Sequence, residues 1–411
     1  MKVDKLTKEK EAQSMRSIVL AVCLVFMALT FIAVHADAVT GECSGCHTMH
    51  NSQGGLDVDP DDDIANAQLL NAGCVGCHTG PHDTLGKNSL GAPVVLDSVD
   101  PSAASEQGGG FTNAGGDFWW VENDSDAKGH NVFDISANAD VPIGDTPPGW
   151  DPDATSGHTF GQVAGGIATW TSQLTCAGTF GCHGVRTTAI SLQAIAGSHH
   201  NNEPGAGGVV SATQASTADS IANSYRFLAE IKGLEQNEWN WNETSASHNE
   251  YYGIDFQNAE RDDDGLTPAQ VYPPTQDTMS YFCAQCHGNF HSEIDDDTTH
   301  GSPWRRHPTD IVLPGGATEY ARYNNDDGLG IVTYNEDVPI ARPVVPATST
   351  DTVVPGNSVA ADGAIVMCLS CHRAHGSPED DMLRWTYSTM TVGSGPGTDN
   401  TGCFVCHNDK N

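Results

Sequence analysis

Five short segments of the chain share the pattern Cys-x-x-Cys-His, and this repetition constrains the fold more than any other feature. The segments begin at Cys43, Cys74, Cys283, Cys368 and Cys403. The pattern is typical of covalent haem attachment, in which two thiols form thioethers with the haem and the following histidine binds the iron. Neither a disulfide framework nor a zinc site needs a histidine after every second cysteine. The sequence therefore predicts a multihaem c-type cytochrome fold.

A sixth segment departs from this spacing. Cys176 and Cys182 are separated by five residues, and His183 follows directly. We interpret the segment as a sixth attachment site in which two glycines let a longer loop bulge outward; the alternative is a local Cys176–Cys182 disulfide with a structural histidine. The six sites use all twelve cysteines that follow residue 36, which favours six haem c groups. In chain order, sites one to six are Cys43, Cys46 and His47; Cys74, Cys77 and His78; Cys176, Cys182 and His183; Cys283, Cys286 and His287; Cys368, Cys371 and His372; Cys403, Cys406 and His407.

The remaining histidines are candidate distal ligands of the irons. Of 18 histidines, six are proximal and one lies in the predicted signal peptide, so eleven remain for six irons. Two histidines on each iron would fill its coordination sphere, and the methionines are too few to supply six irons. His50, His291 and His375 follow a proximal histidine too closely to reach over the same haem, so we expect each to bind a different haem. The other candidates are His130, His199, His200, His307 and His82.

Four histidines have an equally good interpretation as solvated loop residues. They are His82, His158, His248 and His300. A calcium site is a further, weaker possibility, because residues 260–265 match the first half of a calcium-binding loop. Position twelve of that loop is Val271 rather than the glutamate that calcium loops require.

The N-terminus predicts export. Basic residues precede an apolar run over residues 17–34, and Ala36 ends a plausible cleavage site, so residues 1–36 read as a signal peptide. An uncleaved membrane anchor is the alternative. Cys23 lies inside the apolar run and is expected to leave with the signal. We predict a mature protein at 37–411 that passes through the periplasm to the outer cell surface or is secreted, with no stable membrane span after cleavage.

Composition limits the interior that the polypeptide itself can build. Only 38% of residues are hydrophobic, whereas 44 are glycine and 21 are proline. Little of the chain shows helical or strand periodicity. We predict one elongated domain, mostly irregular coil with a few short helices and little strand, whose core is formed by stacked haems. Two helices are expected, over residues 187–196 and 216–233. The net charge of −35 would repel nucleic acid.

The motifs with their neighbours resemble the outer-surface hexahaem nanowire cytochromes of metal-reducing bacteria, the OmcS type. Site one reads Glu-Cys-Ser-Gly-Cys-His-Thr-Met-His, and site five reads Cys-Leu-Ser-Cys-His-Arg-Ala-His. The matching segments are 42–52, 115–118, 128–131, 279–287, 306–308 and 368–375. The resemblance implies stacked bis-histidine haems, a mostly coil fold and head-to-tail polymerisation of identical subunits, with His50 ligating a haem of the neighbouring subunit.

This sequence departs from that family at site three, where the family has the ordinary spacing and another histidine shortly afterwards. The leading hypothesis is a conductive filament subunit for extracellular electron transfer, with donor cytochromes and extracellular acceptors such as metal oxides as partners. A soluble periplasmic electron shuttle is the first rival. A multihaem reductase is the second, but it would need an iron with an open position, and the spare histidines outnumber the irons.

Overall fold

The computed structural model divides the chain into two units, Met1–Asp37 and Ala38–Asn411. The predicted signal peptide and Cys23 lie outside the described residues. Among the residues that the structure describes, no helix combines the length and the apolar character needed to cross a bilayer. The described residues are 42–48, 52–53, 56–57, 69–83, 86–101, 114–136, 143–150, 169–195, 224–235, 244–255, 277–287, 307, 309–315, 323, 332–391 and 401–407.

Short helical turns account for most of the regular helix in these ranges, as predicted. The α-helices are α1 (Cys74–Cys77), α2 (Trp119–Asn123), α3 (Ser191–Ala194) and α4 (Met279–Ala284). The 3-10 turns are Cys43–Gly45, Asp126–Lys128, Tyr225–Phe227, Cys368–Ser370, Asp380–Met382, Tyr387–Thr389 and Gly402–Val405.

The strands are two or three residues long. They are β1 (Ser52–Gln53), β2 (Leu56–Asp57), β3 (Thr175–Ala177), β4 (Gly181–His183), β5 (Gly233–Leu234), β6 (Glu250–Tyr252), β7 (Ile311–Val312), β8 (Val332–Thr333), β9 (Ala341–Arg342), β10 (Thr352–Val353) and β11 (Ile365–Val366). Five of them form one sheet in the order β5-β6-β9-β11-β7. In this sheet β6 and β9 are parallel, and the other neighbours are antiparallel. The expectation of irregular coil with little strand is confirmed.

Both predicted helices are wrong in extent. In 187–196 only α3 is helical, because the hydroxyl of Thr188 accepts the Ile190 N–H and Ile190 is extended. In 216–233 the described part from residue 224 contains no α-helix. Arg226, Phe227 and Glu230 have positive φ values of 48°, 57° and 68°, and the segment then enters β5. In that described part, Tyr225, Leu228 and Ile231 are buried in a cluster with residues of the sheet instead, so tertiary contacts overrode the local pattern.

The chain buries more apolar side chains of its own than its composition led us to expect. One cluster contains Ile231, Tyr251 and Ile365 from the sheet region, and Cys182 packs against it. A second cluster, which includes Val353 and Val405, has Cys406 at its border. Short strands suffice for these clusters because alternate residues of neighbouring strands face the same side. Cysteines of the predicted attachment sites therefore border apolar clusters built by the polypeptide. Bound haems would enlarge this apolar interior.

A buried ionic network crosslinks the sheet. Arg342, Glu250 and His248 are all fully buried. The Arg342 Nε donates to the Glu250 carboxylate at 2.9 Å, and its other nitrogens donate to the carbonyls of Thr350, Thr352 and Gly363. Because every nitrogen of this guanidinium reaches an acceptor, the network fixes the loop after β9 against β6.

We expect Arg342→Met to lower the free energy of unfolding by about 3–5 kcal/mol, because it leaves a buried carboxylate without its cation. Denaturant unfolding of the mature protein measures this loss. The matched control is Lys128→Gln, which removes a cation from the ion pair with the half-exposed Asp124 carboxylate and should cost less than about 1 kcal/mol. Equal losses in the two variants would contradict the assignment of the Arg342 network as a structural crosslink.

Candidate haem centres

Each ordinary attachment motif folds as a single helical turn. In all five, the backbone N–H of the histidine donates to the carbonyl of the first cysteine, four residues earlier, over 2.8–3.1 Å. Residues three and four apart lie on one face of a helical turn. The two thiols and the imidazole of each motif are therefore presented together. Local hydrogen bonding alone produces this arrangement, so the motif is sufficient to build it.

Site three reaches a similar arrangement by a different route. Strands β3 and β4 pair in parallel, with Thr175 opposite Gly181 and Ala177 opposite His183. This register places Cys176 beside Cys182 on neighbouring strands, which are about 4.8 Å apart in a sheet. Cysteines three residues apart on a helical turn have Cβ atoms about 5–6 Å apart. The longer spacing thus folds into an arch that places the two cysteines opposite each other on neighbouring strands.

The arch depends on its two glycines. Gly178 has φ of +94°, which favours glycine. A Cβ on Gly181 would lie 2.4–2.6 Å from three backbone atoms of Ala177. The prediction that glycines accommodate the wider spacing therefore has a definite structural basis. All twelve of the described cysteines are free thiols in the structure, including Cys176 and Cys182.

Backbone carbonyls orient the proximal imidazoles. The Nδ1 atoms of His78, His183, His287 and His372 lie 2.7–2.9 Å from the carbonyl oxygens of Pro93, Arg226, Pro148 and Asp381, respectively. A carbonyl only accepts, so Nδ1 carries the proton and Nε2 keeps its lone pair. Histidines that bind metals commonly donate their other ring N–H to such an acceptor. The candidate distal ligand His130 is held in the same way by the Ala374 carbonyl at 2.7 Å.

Burial favours the neutral form of five imidazoles. It lowers the pKa of His78, His130 and His183, that of His287 to about 4, and that of His375 to about 3. A histidine must be neutral to bind a metal. These side chains are therefore in the ligand-competent form at pH 7 before any iron binds.

Three proximal histidines each face a candidate distal histidine. The ring centres are 6.1 Å apart for His287 and His130, 6.4 Å for His183 and His375, and 6.0 Å for His407 and His307. With a metal–nitrogen bond of about 2.0–2.1 Å and about 1.1 Å from nitrogen to ring centre, two imidazoles across one metal ion have centres roughly 6.3 Å apart. The separations fit an iron between each pair, and the residues present therefore fit haem.

Two of the histidines interpreted as possible solvated loop residues are buried, so that interpretation is wrong for them. The His82 side chain is 4% exposed, and its Nδ1 lies 2.6 Å from the buried Asp97 carboxylate, an orientation that leaves Nε2 for a metal. His248 is fully buried and stacks on Tyr334 with ring centres 3.4 Å apart. Its two nitrogens lie 3.1 Å from the Thr244 carbonyl and from the Glu250 carboxylate, so neither is left for an iron.

The other candidates lie outside the described residues. They are His50, His199, His200 and His291, together with His158, His300 and the possible calcium loop at 260–265. The sequence could not indicate which backbone carbonyls accept from the imidazoles, because every residue carries a carbonyl. The pairing of Asp97 with His82 could not be predicted either, since fifteen residues separate the two.

Thiols of successive sites lie side by side. The thiols of Cys46 and Cys77, of Cys74 and Cys176, and of Cys283 and Cys368 are close enough to shift each other's pKa. Weaker electrostatic interactions connect Cys182 with Cys286, and Cys371 with Cys403 and Cys406. Each site therefore adjoins the next, from site one to site six in the order of the sequence. At the junction of sites two and three, the Asp134 carboxylate lies close to Cys74 and Cys176. Its oxygen and the two sulfur atoms lie within 4.8 Å of one another.

Comparisons with known proteins agree with these sites. Residues 358–411, which hold sites five and six, match the family model described as a doubled CXXCH motif. The chain is 25% identical to the c-type cytochrome OmcS of Geobacter sulfurreducens over 431 residues, which cover 92% of this chain and 87% of that protein. Two solved structures, the Outer Membrane Cytochrome S filament and the OmcS nanowires of Geobacter sulfurreducens, align over 91% of this chain and 92% of theirs, with 22% and 21% identity and TM-scores of 0.42. The chain is therefore similar to OmcS along most of its length, and its repeated motifs are those of c-type haem attachment.

Proposed function

We propose that the chain carries six covalently bound haems in one row and conducts electrons along that row to the outside of the cell. The observation that carries this proposal is the proximity of the thiols of successive sites, which interact electrostatically at each junction from site one to site six. Electron transfer between cofactors falls steeply with distance, so adjacent attachment sites favour rapid transfer. The chain is an electron carrier rather than an enzyme.

The axial ligands follow from the paired imidazoles. His183 and His375 hold the iron of site three, His287 and His130 that of site four, and His407 and His307 that of site six. These pairs leave the irons of His47, His78 and His372 to be closed by the other candidate histidines. His82 is among them because its Nδ1 is already held by Asp97.

Site three carries a haem in this proposal. Three observations support it: the β3–β4 arch brings Cys176 beside Cys182, the Arg226 carbonyl orients His183, and His375 faces that imidazole at 6.4 Å. A local disulfide would need only the first of these. The convergence of all three on one position favours attachment.

The polypeptide holds the imidazoles, excludes water from them and closes the coordination of the irons in this function. The carbonyl partners fix the tautomer and direction of the imidazoles, which keeps the ligand geometry constant when the iron changes charge. Burial excludes water from the imidazoles. A bound haem supplies the reversible one-electron chemistry, and closed bis-histidine coordination leaves no position for substrate. These properties suit conduction better than catalysis.

Polymerisation extends the row beyond one subunit. The similarity to OmcS and the shared site-one motif support head-to-tail assembly, with His50 binding a haem of the next subunit at the outer surface or in the secreted fraction. A head-to-tail contact that does not close into a ring produces a filament. Donor cytochromes at one end and extracellular acceptors such as metal oxides at the other complete the path.

We expect His50→Ala to abolish filaments while the protein keeps its full haem complement, because the substitution removes only the ligand supplied to the neighbour. Electron microscopy of the secreted fraction and intact mass of the mature protein measure the two outcomes. Wild-type protein that forms only discrete monomers would favour the periplasmic shuttle. Filaments that persist in the variant would show that His50 is not the bridging ligand.

A further inference from the structure

Two neighbouring side chains present buried N–H groups that no residue described by the structure pairs with. Arg384 is 8% exposed, and its Nε donates to the carbonyls of Leu369 at 2.7 Å and His372 at 3.2 Å. Among the described residues, none accepts from its Nη1 or Nη2 or from the indole Nε1 of Trp385. The guanidinium is thus anchored by one nitrogen to the backbone of site five, while its remaining donors are unused.

Both side chains line one cavity of about 250 Å³. Gly402 and Val405 of the site-six turn also line it, together with Asn335 and Asp337. The positive charge of Arg384 reaches the site-five thiol Cys371 as well. The cavity is therefore lined by the turn that carries site six, and Arg384 ties it to site five.

A buried guanidinium favours a nearby anion. Removing such a cation from water is unfavourable unless an opposite charge and hydrogen bonds compensate it. Asp337 is the acidic residue that lines the cavity, but it is exposed and forms no ion pair with Arg384 in the described structure. A carboxylate that enters the cavity would accept from both the guanidinium and the indole.

A haem attached beside this cavity brings such a group, because each haem carries two propionate side chains. We propose that Arg384, with Trp385, binds a propionate carboxylate of a haem held at site five or six. This inference rests on the proposed attachment of haems at these two sites. Arg384 is a positioning residue: it would compensate the propionate charge and place a fixed positive charge beside the haem that it holds. A nearby cation disfavours the ferric state, so Arg384 raises the midpoint potential of the haem that it contacts.

The test is a spectroelectrochemical titration of the full mature protein. In Arg384→Gln, we expect the midpoint of one or two haems to move to lower potential while the others stay unchanged. Arg384→Lys should restore most of the shift because it keeps the charge. Trp385→Phe keeps the ring packed against the second apolar cluster and removes only the N–H, so a smaller downward shift is expected. Titrations of the Gln and Phe variants that coincide with wild type would overturn the proposal.

Two controls complete the design. The first control varies the concentration of acetate or phosphate at constant ionic strength, to distinguish a haem propionate from a free anion in the cavity. If the midpoint potential of the wild-type protein changed with that concentration, a free anion would occupy the cavity and the propionate assignment would be wrong. Intact mass counts haems in every variant. Wild-type protein that lacks haem at sites five and six would refute the proposed function itself. If Arg384→Gln does not mature, the titration of Trp385→Phe tests the propionate assignment.

Discussion

His375→Ala should convert one haem of the mature protein from low-spin to high-spin. His375 faces His183 at 6.4 Å, and burial holds its imidazole neutral. Removing it leaves the iron of site three with one protein ligand and an open position. The resting optical and electron paramagnetic resonance spectra measure the change. The haem content should not fall, because Cys176, Cys182 and His183 are untouched.

His248→Gln is the matched control for this substitution. Both histidines are buried, but the nitrogens of His248 are engaged by the Thr244 carbonyl and the Glu250 carboxylate. The control should lower stability through the ionic network and leave every haem low-spin. A high-spin haem in the control would mean that His248 ligates an iron. An unchanged spectrum in His375→Ala would mean that another histidine closes site three.

Gly181→Ala should remove one haem. The added Cβ would lie 2.4–2.6 Å from the backbone of Ala177, so the β3–β4 arch must open and Cys176 must move away from Cys182. Two thioethers form on one haem only if both thiols reach it together. Intact mass of the mature protein should therefore be lower by one haem, and the site-three thiols should become available to alkylation under denaturing conditions.

Gly73→Ala provides the control at site two. Gly73 directly precedes an attachment cysteine, as Gly181 does, but a Cβ there meets no atom within 4 Å and its φ of −68° suits any residue. The full haem complement should remain. If both alanine variants kept it, the arch would not be needed for attachment. If wild type already carried one haem fewer than six and contained a Cys176–Cys182 disulfide, the alternative interpretation of site three would be correct.

The motif cysteines and proximal histidines could be predicted because their geometry is local. A single hydrogen bond from His to the first cysteine carbonyl closes each turn, and no distant residue is needed. The coil-rich fold followed from the many glycines and the weak periodicity. The helix expected over 216–233 is absent from the described residues 224–233 because the apolar residues there pack with a sheet. Periodicity alone does not reveal which neighbouring element buries an apolar residue.

The sequence by itself determined where the six cysteine and histidine motifs lie, and it predicts that haems attach there with spare histidines closing the irons. Only the tertiary structure decided which distal histidine faces which site, because His130 and His287, or His183 and His375, meet through contacts between distant segments. It also separated His82, with one ring nitrogen held by Asp97, from His248, with both nitrogens engaged. Coordination needs a nitrogen lone pair at a defined distance from the iron, and only the folded chain fixes that position.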